Sequence, residues 1–342
     1  MSEKRYLILA EGKSDDPHYG KTGRGVIRFG LNPVVAILDS ARAGETYDGI
    51  PIVGSVDDAL RFEPTTALVG VATEGGRFPL AWRELLKSCV ARGLDVENGL
   101  HELLSADAEL VELARRHGAE LRDLRRPPAG LDVPSGENLH LPAKVVLTVG
   151  SDCAIGKMSV ALELDREARR RGLDSLFVPT GQTGMAIAGW GIAIDAVVSD
   201  FLAGAAERLV VEGVERGGRL LWVEGQGSIV HPQYSGVTLG LMHGSAPHAY
   251  VLCHVPGATA IEFHPGWPIP PLPELVELHE RMSLPARPAK VATVALNTRA
   301  LDDEAARAAI AAAEAETGLP ADDPVRFGPA RLVDAVLLHL GS

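Results

Sequence analysis

The sequence predicts an α/β protein of two units, each built on a doubly wound parallel sheet. Three observations lead there. Short apolar runs alternate with segments of helical periodicity through the first third of the chain and again through its second half. The alternation lapses once, between about 125 and 142, where RRPPAGLDVPSGENLHLP holds four prolines and two glycines. The chain is also 342 residues long, more than one hydrophobic core ordinarily organises. The expected division is 1–125, a linker over 126–142, and 143–342.

The elements follow in order. The RYLIL run reads as a first strand, followed by a Gly- and Lys-rich loop and a helix over about 21–30. PVVAILD (33–39) is a second strand, VDDAL (56–60) starts a helix, and TALVGVA (66–72) is a buried third strand. LAWRELLKSCVARG (80–93) carries apolar residues at helical spacing and stops on Gly93. SADAELVELARRHG (105–118) repeats the pattern, with Ser105 as N-cap and Gly118 as stop. After the linker come KVVLTV (144–149), a helix over about 157–171, and strands in SLFVPT, RLLWVEG, HAYVLCHV and KVATVALN. AARAAIAAAEAETG (305–318) is a strong Ala- and Glu-rich helix.

Composition narrows the function. With 33 Lys and Arg against 45 Asp and Glu the net charge is −12, and the longest basic tract is the RRR at 169–171, which speaks against nucleic acid as a partner. The apolar runs are too short to span a bilayer, and MSEKRYLILAEG lacks the apolar length and cleavage site of a signal peptide. Three dispersed cysteines, Cys89, Cys153 and Cys253, suggest neither a disulfide framework nor a zinc site. A cytoplasmic protein of a reducing compartment is expected.

The main chemical signal is VVLTVGSDCAIGKMS at 145–159. A buried strand enters a turn at Gly150, and Gly156 and Lys157 open a helix, so that backbone N–H groups and the helix N-terminus face an anion. Gly150, Ser151, Asp152, Cys153, Ala154, Ile155, Gly156, Lys157, Met158 and Ser159 are the expected nucleotide-binding residues. Lys157 would reach the β/γ-phosphates of a nucleotide such as ATP. The strict GxxxxGK[ST] pattern is not met. Gly150 is one residue early, and Met158 stands where the magnesium-binding hydroxyl belongs, with Ser159 one place later.

A second strand, RLLWVEGQGS, ends on Glu224 at the expected carboxyl edge of the sheet, where ligands of open α/β folds collect. Glu224, Asp152 and Ser159 are the expected Mg2+ ligands. His231 follows the glutamate loop by few residues and suits a general base for an incoming amine. Cys153 is a possible acyl-carrying nucleophile, although its place inside the phosphate loop argues for a small-residue role. In the first third, Lys21, Thr22, Arg24 and Arg77 supply anion contacts near the glycines at 70, 75 and 76.

GSDCAIGK together with VEGQGS resembles dethiobiotin synthetase and its relatives, where GTDTxxGKT and VEGAGG play these two roles. The whole chain resembles a two-domain family that includes D-glutamate N-acetyltransferases. The segments that carry this are KTGRG, VVAILDS, IPIVGSVDDAL, GVATEGGR, GLHELL, GSDCAIGKMS, PTGQTGMAIAG, IDAVVSDFLAGAAE, VEGQGSIVHPQYSGVTLGLMHG, ALNT and DDPVRFG, nearly end to end. The resemblance implies a Rossmann-like N-terminal domain, similar to the CoA-binding type, and a P-loop NTPase-like, dethiobiotin synthetase-like C-terminal domain. It also implies substrate contacts from Gln182 and Thr183 in a glycine-rich loop over 179–189, from Asp195 beyond that loop and from Gln226 in VEGQGS, and an adenine-edge contact from Asn297. The implied activity is acetyl transfer from acetyl-CoA to the amine of D-glutamate, with the P-loop half holding the phosphates of ATP or of CoA. The alternatives are an ATP-dependent amide ligase working through an acyl phosphate, because a thioester needs no ATP, and a non-catalytic nucleotide- or CoA-sensing protein. A homo-oligomer is expected, with a small amino acid and an acyl donor as its small-molecule partners.

Overall fold

The computed structural model describes residues 4–16, 20–79 and 81–341. Residues 17–19 of the Gly- and Lys-rich loop, and Leu80 at the head of the expected 80–93 helix, lie outside the described residues. The chain forms two compact units, Met1–Pro128 with Gln182–Ala196, and Ala129–Gly181 with Val197–Ser342.

Unit one is Rossmann-like. Its strands are β1 (Tyr6–Leu9), β2 (Val34–Leu38), β3 (Thr46–Tyr47), β4 (Ile50–Val53), β5 (Thr66–Val69), β6 (Asp95–Asn98) and β7 (Leu121–Asp123), in the sheet order β3-β4-β2-β1-β5-β6-β7. All neighbours are parallel except β3 and β4. Every residue of β1 and β5 is buried, as central strands covered on both faces require. The helices are α1 (Lys21–Phe29), α2 (Val56–Leu60), α3 (Trp82–Ala91) and α4 (Ala108–His117).

The N-cap of α4 is Asp107 rather than Ser105. The Asp107 carboxylate accepts from the N–H groups of Glu109 and Leu110 at 3.0 and 3.1 Å. Ser105 sits one turn earlier, where its hydroxyl donates to Asp123 Oδ2 at 2.7 Å. A carboxylate only accepts, so the residue nearer the helix with the stronger acceptor takes the cap.

Unit two is the P-loop unit. Its sheet holds β8 (Lys144–Gly150), β9 (Ser175–Val178), β10 (Leu220–Val223), β11 (Ala249–His254), β14 (Lys290–Leu296) and β15 (Ala321–Asp322), parallel throughout in the order β15-β14-β11-β8-β10-β9. A hairpin, β12 (Ala260–Ile261) with β13 (His264–Pro268), stands apart from it. The helices are α5 (Lys157–Arg170), α7 (Ser199–Glu215), α8 (Ser235–Ser245), α9 (Leu272–Arg281), α10 (Asp303–Thr317) and α11 (Ala330–Leu340). Among the described residues no helix is long and apolar enough to cross a membrane.

The proline-rich stretch after Pro128 belongs to this unit and is fastened to it. Arg287 donates to the carbonyls of Asn138, Leu139 and Ala246, and the Asn138 side chain donates to Gly244 O at 2.7 Å.

The remaining helix, α6 (Gln182–Ala188), corrects the loop expected over 179–189. Thr183, Gly184, Ala186 and Ile187 are its buried face. It lies in unit one, where the Thr22 and Thr183 hydroxyls meet at 2.9 Å. Ala, Met and Gln are good helix formers, and here they outweigh the single internal glycine.

Candidate active site at the phosphate loop

In unit two, β8 runs out at Gly150 and α5 begins at Lys157. The turn between them needs left-handed backbone at two places, Ala154 (φ 54°) and Gly156 (φ 111°), and the second is open only to glycine. Three bonds fasten the loop. Ser151 N–H donates to Cys253 O at 3.1 Å, Asn297 Nδ2 donates to Ile155 O at 3.1 Å, and the Ser151 hydroxyl meets His254 Nδ1 at 2.9 Å. Asn297, expected at an adenine edge, is thus placed on the loop's own backbone.

Lys157 is buried, and its ammonium donates to Asp152 O at 2.6 Å, across the loop it belongs to. Burial pushes its pKa below the ordinary lysine value, while Cys153, Cys253, Asp152 and Glu224 oppose the shift. Met158 and Ser159 occupy the first turn of α5 behind it.

Glu224 leaves the end of β10, and its Oε2 accepts from the N–H groups of Thr180 and Gly181 at 2.9 and 3.0 Å. The Thr180 hydroxyl returns a bond to Glu224 O at 2.7 Å. Gln226 donates from Nε2 to the Thr180 carbonyl and hydroxyl, and its own carbonyl accepts from Thr238 Oγ1 at 2.8 Å. Between these residues Gly225 is obligatory, since a Cβ there would stand 1.6 Å from Thr148 O.

The structure brings His231 to the loop. It is buried, and its Nε2 stands 3.9 Å from Asp152 Oδ1, beyond hydrogen-bonding distance. Its Nδ1 accepts from Gln233 N–H at 3.1 Å, which leaves the hydrogen of the neutral ring on Nε2. The rings of Tyr234 and His264 pack against it at 4.7 and 5.7 Å. Burial foremost holds the imidazole below its ordinary pKa, with Asp152 opposing and His264 and Lys157 adding to the shift. A ring held neutral with Nε2–H directed at the loop is a hydrogen-bond donor there; removing a proton through that atom requires breaking the Gln233 bond first.

Asp152, Cys153 and His231 each offer a ligand atom, all within 4.8 Å of one another. An O, S and N donor set of this size matches a zinc-type cation in number. Two observations oppose one. The His231 nitrogen facing the cluster carries the ring hydrogen, and Asp152 already accepts from Cys153 N–H at 2.6 Å and Glu262 N–H at 2.7 Å. A buried ammonium, Lys157, adds a like charge beside the same loop. Of the residues expected to hold magnesium, only Asp152 belongs to this cluster. A bound nucleotide fits the loop's shape and lysine, but the helix lacks a hydroxyl at position 158.

The other expected substrate residues lie in unit one, where two of them, Gln182 and Asp195, meet an arginine that the sequence did not single out. Arg125 is buried. It donates to Gly99 O at 2.7 Å and Gln182 Oε1 at 2.8 Å, and pairs with Asp195. Its position in an RRPP run reads as a solvated basic pair, so no local signal marks it. Lys21 is exposed at the head of α1, Arg24 donates to Asp15 O at 2.6 Å with its guanidinium 5.5 Å from the Tyr47 ring, and Arg77 is exposed.

A Rossmann-like unit and a P-loop unit, with a lysine, a carboxylate, a thiol and a histidine gathered at the loop of the second, define a two-domain α/β protein of the P-loop type. Comparison with known proteins agrees. Residues 39–127 match the domain of unknown function DUF1611_N, described as Rossmann-like, and residues 132–333 match DUF1611_C, described as a P-loop domain. The chain belongs to the DUF1611 family. It is similar to a D-glutamate N-acetyltransferase of Tritonibacter scottomollicae, 38% identical over 283 residues, covering 82% of this chain and 84% of that protein. A D-glutamate N-acetyltransferase of a Pseudoalteromonas species is 38% identical over 200 residues, 58% of this chain and 59% of that one. The crystal structure of a DUF1611 family protein from Anabaena variabilis ATCC 29413 is 42% identical with a TM-score of 0.93, covering 98% of this chain and 99% of that one. These relatives set the chain among the N-acyltransferase enzymes.

Proposed function

We propose that this enzyme transfers an acetyl group from acetyl-CoA to the amine of D-glutamate. The observation that carries the reading is 38% identity, along 82% of the chain, to a protein named for that reaction. The loop at 150–159 supports it chemically. Acyl transfer builds negative charge on a carbonyl oxygen, and a helix N-terminus with a buried lysine is a place where such charge is stabilised.

The lysine and Glu224 also favour a second reading, an ATP-dependent ligase in which magnesium-ATP phosphorylates a free acid before the amine attacks. Product mass spectrometry separates the two. The enzyme is incubated with D-glutamate and acetyl-CoA alone, and in parallel with D-glutamate, acetate and magnesium-ATP. N-acetyl-glutamate from the thioester without ATP supports the transferase. Product only with ATP, accompanied by ADP, replaces it with the ligase.

A further inference from the structure

The proposed transfer leaves open whether the amine attacks the thioester directly or an acylated enzyme, and the loop geometry bears on that choice. Cys153 is half-buried at the turn, whereas the other two cysteines are buried, and burial pushes each of their thiols up to about 12. Its sulfur lies within 4.8 Å of an Asp152 carboxylate oxygen and of a nitrogen of His231, a residue brought in from beyond β10. The first intrahelical bond of α5 is Val160 N–H to Gly156 O at 2.9 Å, so the amides of Lys157, Met158 and Ser159 are the first-turn donors of a 14-residue helix. A thiol in the loop that leads into this helix, with the Lys157 ammonium among its electrostatic neighbours and a His231 nitrogen within 4.8 Å, sits where charge on sulfur and on an adjoining carbonyl oxygen is stabilised.

Two further observations point to a carbonyl rather than a phosphate at this spot. The Cys153 amide is turned onto Asp152 Oδ1 at 2.6 Å, so one N–H of the loop is already taken by a buried carboxylate, while the lysine uses one of its three donors on the Asp152 main-chain carbonyl. That carboxylate repels a multiply charged phosphate far more than a neutral thioester. The His231 Nε2–H, 3.9 Å from Asp152 Oδ1, is directed into the same space from a side chain 4% exposed.

We propose that Cys153 is a catalytic nucleophile that carries the acetyl group between donor and acceptor, a reading that rests on the acetyltransferase function proposed above. In the first half-reaction the Cys153 sulfur bonds to the thioester carbonyl carbon, the carbon–sulfur bond to CoA breaks, and the thiol proton ends on CoA. In the second, the neutral amine of the acceptor bonds to the same carbon, the bond to Cys153 breaks, and one amine proton returns to the cysteine. No oxidant, reductant or metal enters the balance. The helix amides and Lys157 hold the oxyanion of each tetrahedral intermediate, and His231 Nε2–H steadies the sulfur as it attacks and leaves.

The test uses the full chain with acetyl-CoA and no amine, followed by intact-protein mass spectrometry and peptide mapping. The expected result is one acetyl adduct on Cys153, exchange of labelled CoA into acetyl-CoA without amine, and loss of the adduct when D-glutamate is added. Cys153→Ser and Cys153→Ala should lower kcat/KM at least about 10³-fold at unchanged circular dichroism and Tm. N-acetyl-glutamate formed without adduct or exchange, or a Cys153→Ala enzyme within tenfold of the parent, overturns the nucleophile and leaves the transferase standing. An adduct on Cys153 that D-glutamate fails to remove keeps the nucleophile and overturns the acceptor. One zinc per chain that disappears in Cys153→Ser overturns the proposal, because a thiolate bound to metal is not the acyl carrier. Absence of adduct, exchange and product together overturns both readings.

Discussion

Replacing Lys157 by methionine separates what this residue does for folding from what it does for chemistry. Its ammonium is buried and makes a 2.6 Å bond to Asp152 O. Losing that bond strands a buried carbonyl, at a cost of about 1–3 kcal/mol. Against this, a buried charge is removed, and replacing buried charge by an apolar side chain of like volume is often neutral or stabilising by about 1–4 kcal/mol. The two effects are opposed and similar, so the net change should stay within about 2 kcal/mol. On the proposed transfer, activity has no such compensation, because the charge assigned to the developing oxyanion is gone, and kcat/KM should fall about 10²–10³-fold.

A pH series supplies a second check. The folded lysine has a pKa below its ordinary 10.5, so the unfolded chain binds more protons between the two values. Parent stability from this residue therefore rises with pH across that window, and the gap to Lys157→Met should shift in the parent's favour toward pH 10.5. Thermal unfolding and acetyl-transfer rates on the same preparation decide the matter. A collapse of Tm by well over 10 °C would show that the lysine is a structural tie the loop cannot lose. Full activity at unchanged stability would show that the cradle takes no part in the reaction.

Glu224→Gln keeps an acceptor for the Thr180 and Gly181 amides, so folding should hold; on the ligase reading, where a carboxylate positions magnesium, ATP-dependent product should drop at least about tenfold, and a fully active variant would remove Glu224 from the site. Gly225→Ala forces a methyl to 1.6 Å from Thr148 O and should destabilise by at least about 3 kcal/mol, read from denaturant midpoints; a neutral result would contradict the close approach. Arg125→Leu strands Asp195, and because that carboxylate is 28% exposed the expected cost is near the low end, about 3 kcal/mol; the Asp195→Asn, Arg125→Leu double variant should recover part of it. His248 and His279 are held neutral with pKa values lowered to about 4, chiefly by burial. The unfolded chain takes up their protons first, so stability should fall as pH drops from 6.5 toward 4, and His279→Leu should flatten that slope in urea titrations.

Much of the fold was legible because its signals are local. A run such as YLIL, or the strand–turn–helix of 145–159, contains within a few residues both the apolar pattern and the glycines that its conformation needs. Gly93, Gly118 and Gly318 each end a helix with positive φ where the sequence placed a stop. The misreadings arose where two local signals compete. At 105–107 a serine and an aspartate both suit the cap, and the serine is drawn off by Asp123. At 182–188 glycines suggested a loop, but the buried face of Thr183, Gly184, Ala186 and Ile187 makes a helix.

The sequence alone determined the fold class and the main local motifs: a Rossmann-like half, a phosphate-type loop with Lys157, and a strand ending on Glu224, because these depend on neighbours in the chain. Tertiary structure decided which side chains lie together. It brought His231 to Asp152 and Cys153, turned Asn297 onto the loop backbone, and made Arg125 the common partner of Gln182 and Asp195. It also assigned Gln182–Ala196 to the first unit although the chain on either side belongs to the second. Such groupings are fixed by sheet order and by the burial of charge against a partner, and both link residues that are remote in sequence.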